Sequence, residues 1–224
     1  MVEKSKPRRL NREENRKQRR DSLIEAAERV IATQDLWGTT VERICDEAGV
    51  SHGLLGHYFN SKDDLLLLVC ERVFKEDLAR KNEIAADITL SAVNRLYEIS
   101  ASNFKSPVYN AERVAVWQAF LNASRSARLF RDAIQRGATE YRTVFQNSFN
   151  EAAKELGIKI DSKRAALGLI AMVDGFWTGL STNKDNITPE IAIKISHSYI
   201  DACLGLALSK KPKNTSPQEG HAGV

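Results

Sequence analysis

Apolar residues recur with a helical period along almost the whole chain. From Asn15 to about Thr33, residues Leu23, Ala26, Ala27, Val30 and Ile31 fall at i, i+3, i+4, i+7 and i+8, one face of an amphipathic helix. Leu36-Trp37-Gly38 marks its end. A short second helix is predicted over Val41–Ala48, with Val41, Ile44, Cys45 and Ala48 turned inward and a hydroxyl of Thr39 or Thr40 as its N-cap. Gly49 comes next as a residue able to take a left-handed backbone, and Ser51 is expected to cap a third helix through about Tyr58. A fourth starts at Asn60-Ser61 and buries Leu65, Leu66, Val69 and Val73. Five more are expected over 89–104, 111–123, 127–156, 163–181 and 189–209.

Composition agrees with an all-α fold: only five prolines and twelve glycines punctuate 224 residues, few for a chain of strands and turns. Apolar residues at 42% and charged residues at 28% suit an ordinary globular protein with a sizeable core. The apolar runs fall short of the roughly 20 residues that span a bilayer, and no apolar segment comes after the charged N-terminus as a secretory signal requires. No membrane association is therefore expected. Three widely spaced cysteines (Cys45, Cys70, Cys203) with no CxxC argue against a disulfide framework or a zinc site and suit a reducing cytoplasm.

Charge is uneven. Residues 1–20 hold nine Lys or Arg against three Glu, whereas the next forty hold two Arg against seven acids. A basic arm of that kind either attracts a polyanion, DNA above all, through counterion release, or is a solvated tail. The segment beyond the arm favours DNA. Two helices of about eight residues joined through Ala48-Gly49-Val50-Ser51 have the layout of a helix-turn-helix over 39–58, although a generic αα-hairpin shares that outline. In the first case the second helix enters a major groove with its N-terminal residues against base edges.

The run Thr39-Thr40-Val41-Glu42-Arg43-Ile44-Cys45-Asp46-Glu47-Ala48-Gly49-Val50-Ser51, continued by His57-Tyr58-Phe59-Asn60-Ser61-Lys62-Asp63-Asp64-Leu65, resembles the DNA-binding domain of TetR-family repressors. Cys45 stands where that family usually has alanine, a side chain of similar size. The resemblance implies a homodimer that binds a palindromic operator in double-stranded DNA. It assigns phosphate contacts to Thr40, Tyr58 and Lys62, and base reading to Ser51, His52, Gly53 and His57. It also implies a helix-turn-helix domain (16–76) and a larger helical ligand-binding and dimerisation domain (77–208), while charge and composition mark a basic flexible arm (1–15) and a disordered tail (209–224). In such a dimer the apolar helices from Lys163 and Pro189 form a four-helix bundle with those of a second copy.

Two further strings, Ala115-Val116-Trp117-Gln118-Ala119-Phe120 and Gly168-Leu169-Ile170-Ala171-Met172-Val173-Asp174-Gly175-Phe176-Trp177, resemble the BetI-like, choline-responsive branch of the family. The ligand that this implies is choline or a related quaternary ammonium. Such a cation has no hydrogen-bond donor on its nitrogen and is recognised by aromatic faces and a negative charge. The candidate ligand residues are Trp117, Phe120, Tyr141, Phe145, Asp174 and Trp177. Two plainer readings stand beside that one: Phe176 and Trp177 as core or dimer contacts, and Asp174 paired with a helix end or an arginine. An isolated carboxylate there would be costly, so Asp174 is expected to have a partner.

His52 and His57, at i and i+5, do not share a helix face and make a poor metal pair. His197 reads as a packed or interface histidine. No cofactor or metal is expected, and neither a glycine-rich phosphate loop nor a catalytic serine, cysteine or zinc motif is present. The rival to an inducible repressor is a TetR-fold factor that shapes DNA or recruits partners without any small-molecule inducer; a ligand-sized cavity opposes it.

Overall fold

The computed structural model describes residues 12–182 and 187–206, and among these every regular element is a helix: α1 (Arg12–Gly38), α2 (Val41–Ala48), α3 (His52–Leu55), α4 (Lys62–Ala85), α5 (Ala92–Ser102), α6 (Ala111–Ala123), α7 (Arg128–Glu155), α8 (Ser162–Thr182) and α9 (Pro189–Leu204). Side chains cap several of them, at Thr40 and Ser61 as expected and also at Asn110 and Thr188. Thr40 accepts from the Arg43 amide, Ser61 from Asp64, Asn110 from Arg113 and Thr188 from Ile191.

Four expectations need correction. Residues 12–15, assigned to a flexible arm, are the first turn of α1, where Glu13 and Glu14 complement the positive end of the helix dipole. Residues 1–11 and the proposed tail lie outside the described residues. Ser51 precedes α3 but makes no side-chain cap bond, and α3 is only four residues long. With Gly53 and Gly56 inside it, the segment continues to Phe59 as turns closed by His57 N–H to Leu54 O and Tyr58 N–H to Leu55 O. Finally, α9 stops at Leu204 because Gly205 turns left-handed (φ 71°). By length and composition α8 could cross a membrane, contrary to the expectation of no such run, but it packs on α6, α7 and α9.

Three apolar cores organise the helices. The first joins α1 to α4 with α6 and the start of α7 around Leu23, Ile44, Leu65 and Phe120. The second joins α4, α5, α7, α8 and α9 around Leu96, Phe149 and Leu169, and the third sets α8 and α9 against Phe104. α4 belongs to both of the larger cores and runs unbroken through residue 76, the expected boundary between the two domains. Leu167, Ile191 and Ile195 on α8 and α9 remain 40–45% exposed, an apolar surface with nothing covering it in a single chain.

Just before it gives way to α2, α1 is broken by a kink at Asp35, whose backbone (φ 60°, ψ 171°) lies in a region that essentially only glycine occupies. Its carboxylate accepts from the Leu36 amide at 2.6 Å, and its carbonyl accepts from the Thr39 hydroxyl at 2.7 Å. Such strain costs about 1–3 kcal/mol, partly offset here by those bonds and by the greater freedom glycine has when unfolded. Asp35→Gly is therefore expected to stabilise the protein by about 1 kcal/mol in urea denaturation, as a rise in the midpoint; a lower midpoint would contradict the strain.

Candidate DNA interface and ligand cavity

Gly49 (φ 66°) lets α2 end and α3 start within three residues, and its amide and that of Val50 close back on Asp46 and Cys45. Leu55 turns inward at 4% exposure while Leu54 stays half-buried. Ser51, His52, Gly53 and His57 are exposed together, and a side chain at Gly53 would meet only open space. Tyr58 is half-buried against the first core, and Arg20 from α1 lies over the Phe59 ring. Lys62 spends one of its three donors on the Thr39 carbonyl at 2.9 Å, which ties the start of α4 to the entry of α2 next to Thr40. Four of the seven candidate DNA residues are thus exposed on the segment after α2, and Lys62 is held beside Thr40 at the entry of α2.

A cavity of about 120 Å³ opens between α4, α6, α7, α8 and the segment after α5. A dry cavity of about 150 Å³ holds benzene, so this smaller space is on the scale of about five heavy atoms, such as a trimethylammonium head group, with the rest of a longer ligand toward its open side. Trp117, Tyr141, Asp174 and Trp177 line it. Phe120 and Phe145 do not. Phe120 packs on Phe130 in the first core, and Phe145, a turn beyond Tyr141 along α7, is fully buried in the second and supports the Tyr141 ring at 5.0 Å. Trp117 is braced edge-on by Phe74 at 5.2 Å, a contact that Gly137 permits, since a Cβ there would fall 2.4 Å from the Phe74 ring.

Three carboxylates face the cavity, and two bring their own cations. Glu76 is held by Arg72 at 2.6 Å and by Arg113. Burial raises its pKa, but bonds from Arg72 and Arg113 outweigh that and leave it below the usual range. Asp77 pairs with Lys81, which is fully buried and lies over the Tyr141 ring at 4.9 Å. Asp174 has neither a salt bridge nor a hydrogen bond to its carboxylate among the described residues. It keeps accessible surface, yet the protein around it removes enough water to raise its pKa to about 6. The expectation of a partner for Asp174 is thus not met within the described residues. Asp174 is exposed enough to water to keep an unpaired carboxylate tolerable, and it is left as the cavity's carboxylate with no cation of its own among the described residues.

Sequence reasoning missed most of the polar wall. Asp77 and Lys81 sit at i and i+4 on α4, a spacing that could have suggested the pair. No local signal marks Arg113 or Asn103. Arg113 also reaches Glu28 on α1 at 2.7 Å, so one guanidinium joins the cavity wall to the helix-turn-helix domain. His197 is packed against Tyr97, its ring 4.7 Å away.

A helix-turn-helix joined through α4 to a helical body with a cavity is the architecture of a DNA-binding regulator. Residues 23–69 match the model of bacterial regulatory proteins of the tetR family, and residues 92–205 match that of the C-terminal domain of BetI-type transcriptional repressors. The chain belongs to the TetR family and is a transcriptional regulator of BetI type. It is 31% identical over 186 residues to the HTH-type transcriptional regulator BetI of Burkholderia ambifaria, covering 83% of this chain and 94% of that one. The BetI of Paraburkholderia phymatum is 32% identical over 191 residues, covering 84% and 94%. A solved structure described as a transcriptional regulator from Pseudomonas aeruginosa PAO1 aligns over 90% of this chain and 96% of its own, with a TM-score of 0.76 and 27% identity. The fold is shared with a regulator from Saccharomonospora viridis solved in complex with choline (TM-score 0.74, 21% identity, 83% and 96% covered). These relatives are named as regulators, not enzymes.

Proposed function

We propose that the protein is a repressor that binds a palindromic operator as a homodimer in the cytoplasm and is released by a small monovalent quaternary ammonium cation such as choline. The observation that carries the ligand is Asp174, an unpaired carboxylate on a cavity walled by Trp117, Tyr141 and Trp177. Aromatic faces and a carboxylate with no cation of its own suit a cation that offers no N–H. The BetI relatives and the choline complex of the S. viridis regulator support the same reading. The existence of the cavity speaks against a DNA-bound factor with no inducer. The exposed Leu167, Ile191 and Ile195 surface supports a dimer through α8 and α9, which would set two recognition segments about 34–36 Å apart.

Fluorescence anisotropy on the DNA upstream of the protein's own gene, with and without millimolar choline, tests this. Specific binding released by choline is expected; binding indifferent to choline would remove the ligand from the reading and leave the repressor. The pH dependence gives a second readout. A cation binds the ionised form of Asp174, so affinity is flat well above pH 6 and falls as pH drops through about 6. At pH 5 it should be about ten-fold weaker than at pH 7.5, because about nine-tenths of the free protein then carries a protonated Asp174. Calorimetric titration at the two pH values checks the sign.

A further inference from the structure

The cavity reaches the surface where the chain is bare. Among the residues that line it, Glu76, Pro107 and Asp174 are exposed, and of these three only Asp174 lies on α8. Leu167, Ala171, Asp174 and Thr178 recur at i, i+4, i+7 and i+11 and form one exposed stripe along that helix. Ile170 and Trp177, a turn to either side of Asp174, line the cavity. Asp174 is thus the seam between the cavity and the bare stripe. Tyr199 packs on Gly168 and Ile187 on Gly179, so α8 and α9 run antiparallel, and Asp174 falls level with the stretch between Ile191 and Ile195. Those two isoleucines and Leu167 are 40–45% exposed. Gly175 is exposed too, and a side chain there would meet only open space. Packing within the chain does not call for glycine at that position, whereas the close approach of another helix would use it.

We propose that a second copy of this chain, seated on α8 and α9 about a two-fold axis, completes the ligand cavity by walling it beside Asp174, so that dimerisation and cation binding strengthen each other. The occupant is a second copy because a pair of antiparallel helices carries the apolar surface, and a two-fold axis brings that surface onto itself as a four-helix bundle. Glu76 and Pro107 belong to α4 and the segment after α5, outside that face, and leave the ligand a way in. Covering Asp174 removes water from beside its carboxylate, and the attraction between that charge and a cation grows as water leaves. Without a cation the same covering is costly, because it strands a charge. The coupling is reciprocal: whatever factor the partner adds to cation affinity, each bound cation adds to dimer affinity. The inference rests on the homodimer and quaternary-ammonium readings above, and adds that the site is incomplete in one chain.

Ile195→Lys and Leu167→Lys test it, since each puts a charge on the bare face and neither residue lines the cavity. Both side chains are exposed in one chain, so the variants keep its fold. In sedimentation velocity they should be monomers at a concentration where the wild type is a dimer. Calorimetric titration of those monomers at pH 8, where Asp174 is ionised, should give a choline affinity about ten-fold below wild type. In sedimentation equilibrium, saturating choline should tighten the variants' dimer by about a hundred-fold, about ten-fold for each of its two sites. Raising the variant concentration until dimers re-form should restore the choline affinity, which a misfolded chain would not do. A monomer that binds choline as tightly as wild type overturns the inference, as do a dimer constant that choline leaves unchanged and an affinity that stays low in re-formed dimers. A double variant that remains dimeric puts the interface elsewhere and overturns it as well. Wild type that dimerises but binds no choline removes the ligand reading itself, a result distinct from choline binding that ignores the partner.

Discussion

Asp174→Asn is expected to bind choline about thirty-fold more weakly than the wild type at pH 7.5, and yet to unfold at a higher temperature. The two effects share one cause. A unit charge about 4 Å from a bound cation contributes about 4 kcal/mol at an effective dielectric of 20, and halving that for the water access of Asp174 leaves about 2 kcal/mol, or roughly thirty-fold. In the free protein the same carboxylate faces no cation. Its pKa of about 6 lies above the unfolded value, so the ionised form is disfavoured by folding. That penalty is absent below the unfolded pKa and reaches its full size above pH 6. A neutral isostere removes it, so the gain in thermal midpoint should be present at pH 7.5 and vanish near pH 4. Calorimetric titration and thermal melts at both pH values check the pair; an undiminished choline affinity would show that the cation does not sit beside Asp174.

The second large effect concerns stability. Arg113 and Glu28 are both nearly buried, with side chains 14% and 13% exposed, and Arg113 also holds Glu76, which Arg72 links onward to Glu25. Replacing Arg113 with Met leaves Glu28 buried without its principal cation. Removing one member of a buried pair costs about 3–5 kcal/mol, and the remaining Arg72 reduces this to an expected loss of about 3 kcal/mol in urea denaturation. Adding Glu28→Gln should recover part of that loss, since it removes the stranded charge. Full additivity of the two substitutions would show that they do not interact. The acid limb separates the two carboxylates. Burial raises the Glu28 pKa against the pull of Arg113, so its penalty is relieved as pH falls through that raised value. Glu76, held below the usual range, contributes stability above its unfolded pKa and loses it as pH falls further. Arg113 also bears on the proposed release of DNA. It touches the cavity and α1 at once, and Trp117 lies one turn beyond it on α6. In the Arg113 variant choline should therefore release DNA less completely at saturation.

The helix-turn-helix is legible in the sequence because its determinants are local. Thr40 as a cap, Gly49 as a left-handed stop and the inward Ile44 and Cys45 are each decided by neighbours within one turn. The same logic fails at Ser51, where adjacent glycines weaken the helix it would cap. Trp117, Tyr141, Asp174 and Trp177 stand out because aromatic and acidic residues on apolar helices are conspicuous. Phe120 and Phe145 share that signature but face the cores, and only the rotation of α6 and α7 against their neighbours separates wall from core. Asn103 and Arg113 are invisible for a different reason. Their meaning lies in partners far along the chain: Asn103 with Tyr141 and Trp177, and Arg113 with Glu28 and Glu76. Lys81, a lysine predicted by type to be exposed, is buried because Asp77 and the Tyr141 ring both accept its ammonium.

The unbroken course of α4 has a mechanical consequence. Asp77, on the cavity, and Lys62, anchored to the Thr39 carbonyl, lie fifteen residues apart on one rod, about 22 Å at 1.5 Å per residue. Rotating such a rod by about 5° about its cavity end sweeps the other end through about 2 Å. Two protomers moving symmetrically would change the spacing of their recognition segments by about 4 Å, roughly a tenth of the 34–36 Å between successive turns of the groove. A ligand of fewer than about ten heavy atoms therefore needs to shift its own walls by only a fraction of an ångström, because the length of the helix supplies the amplification.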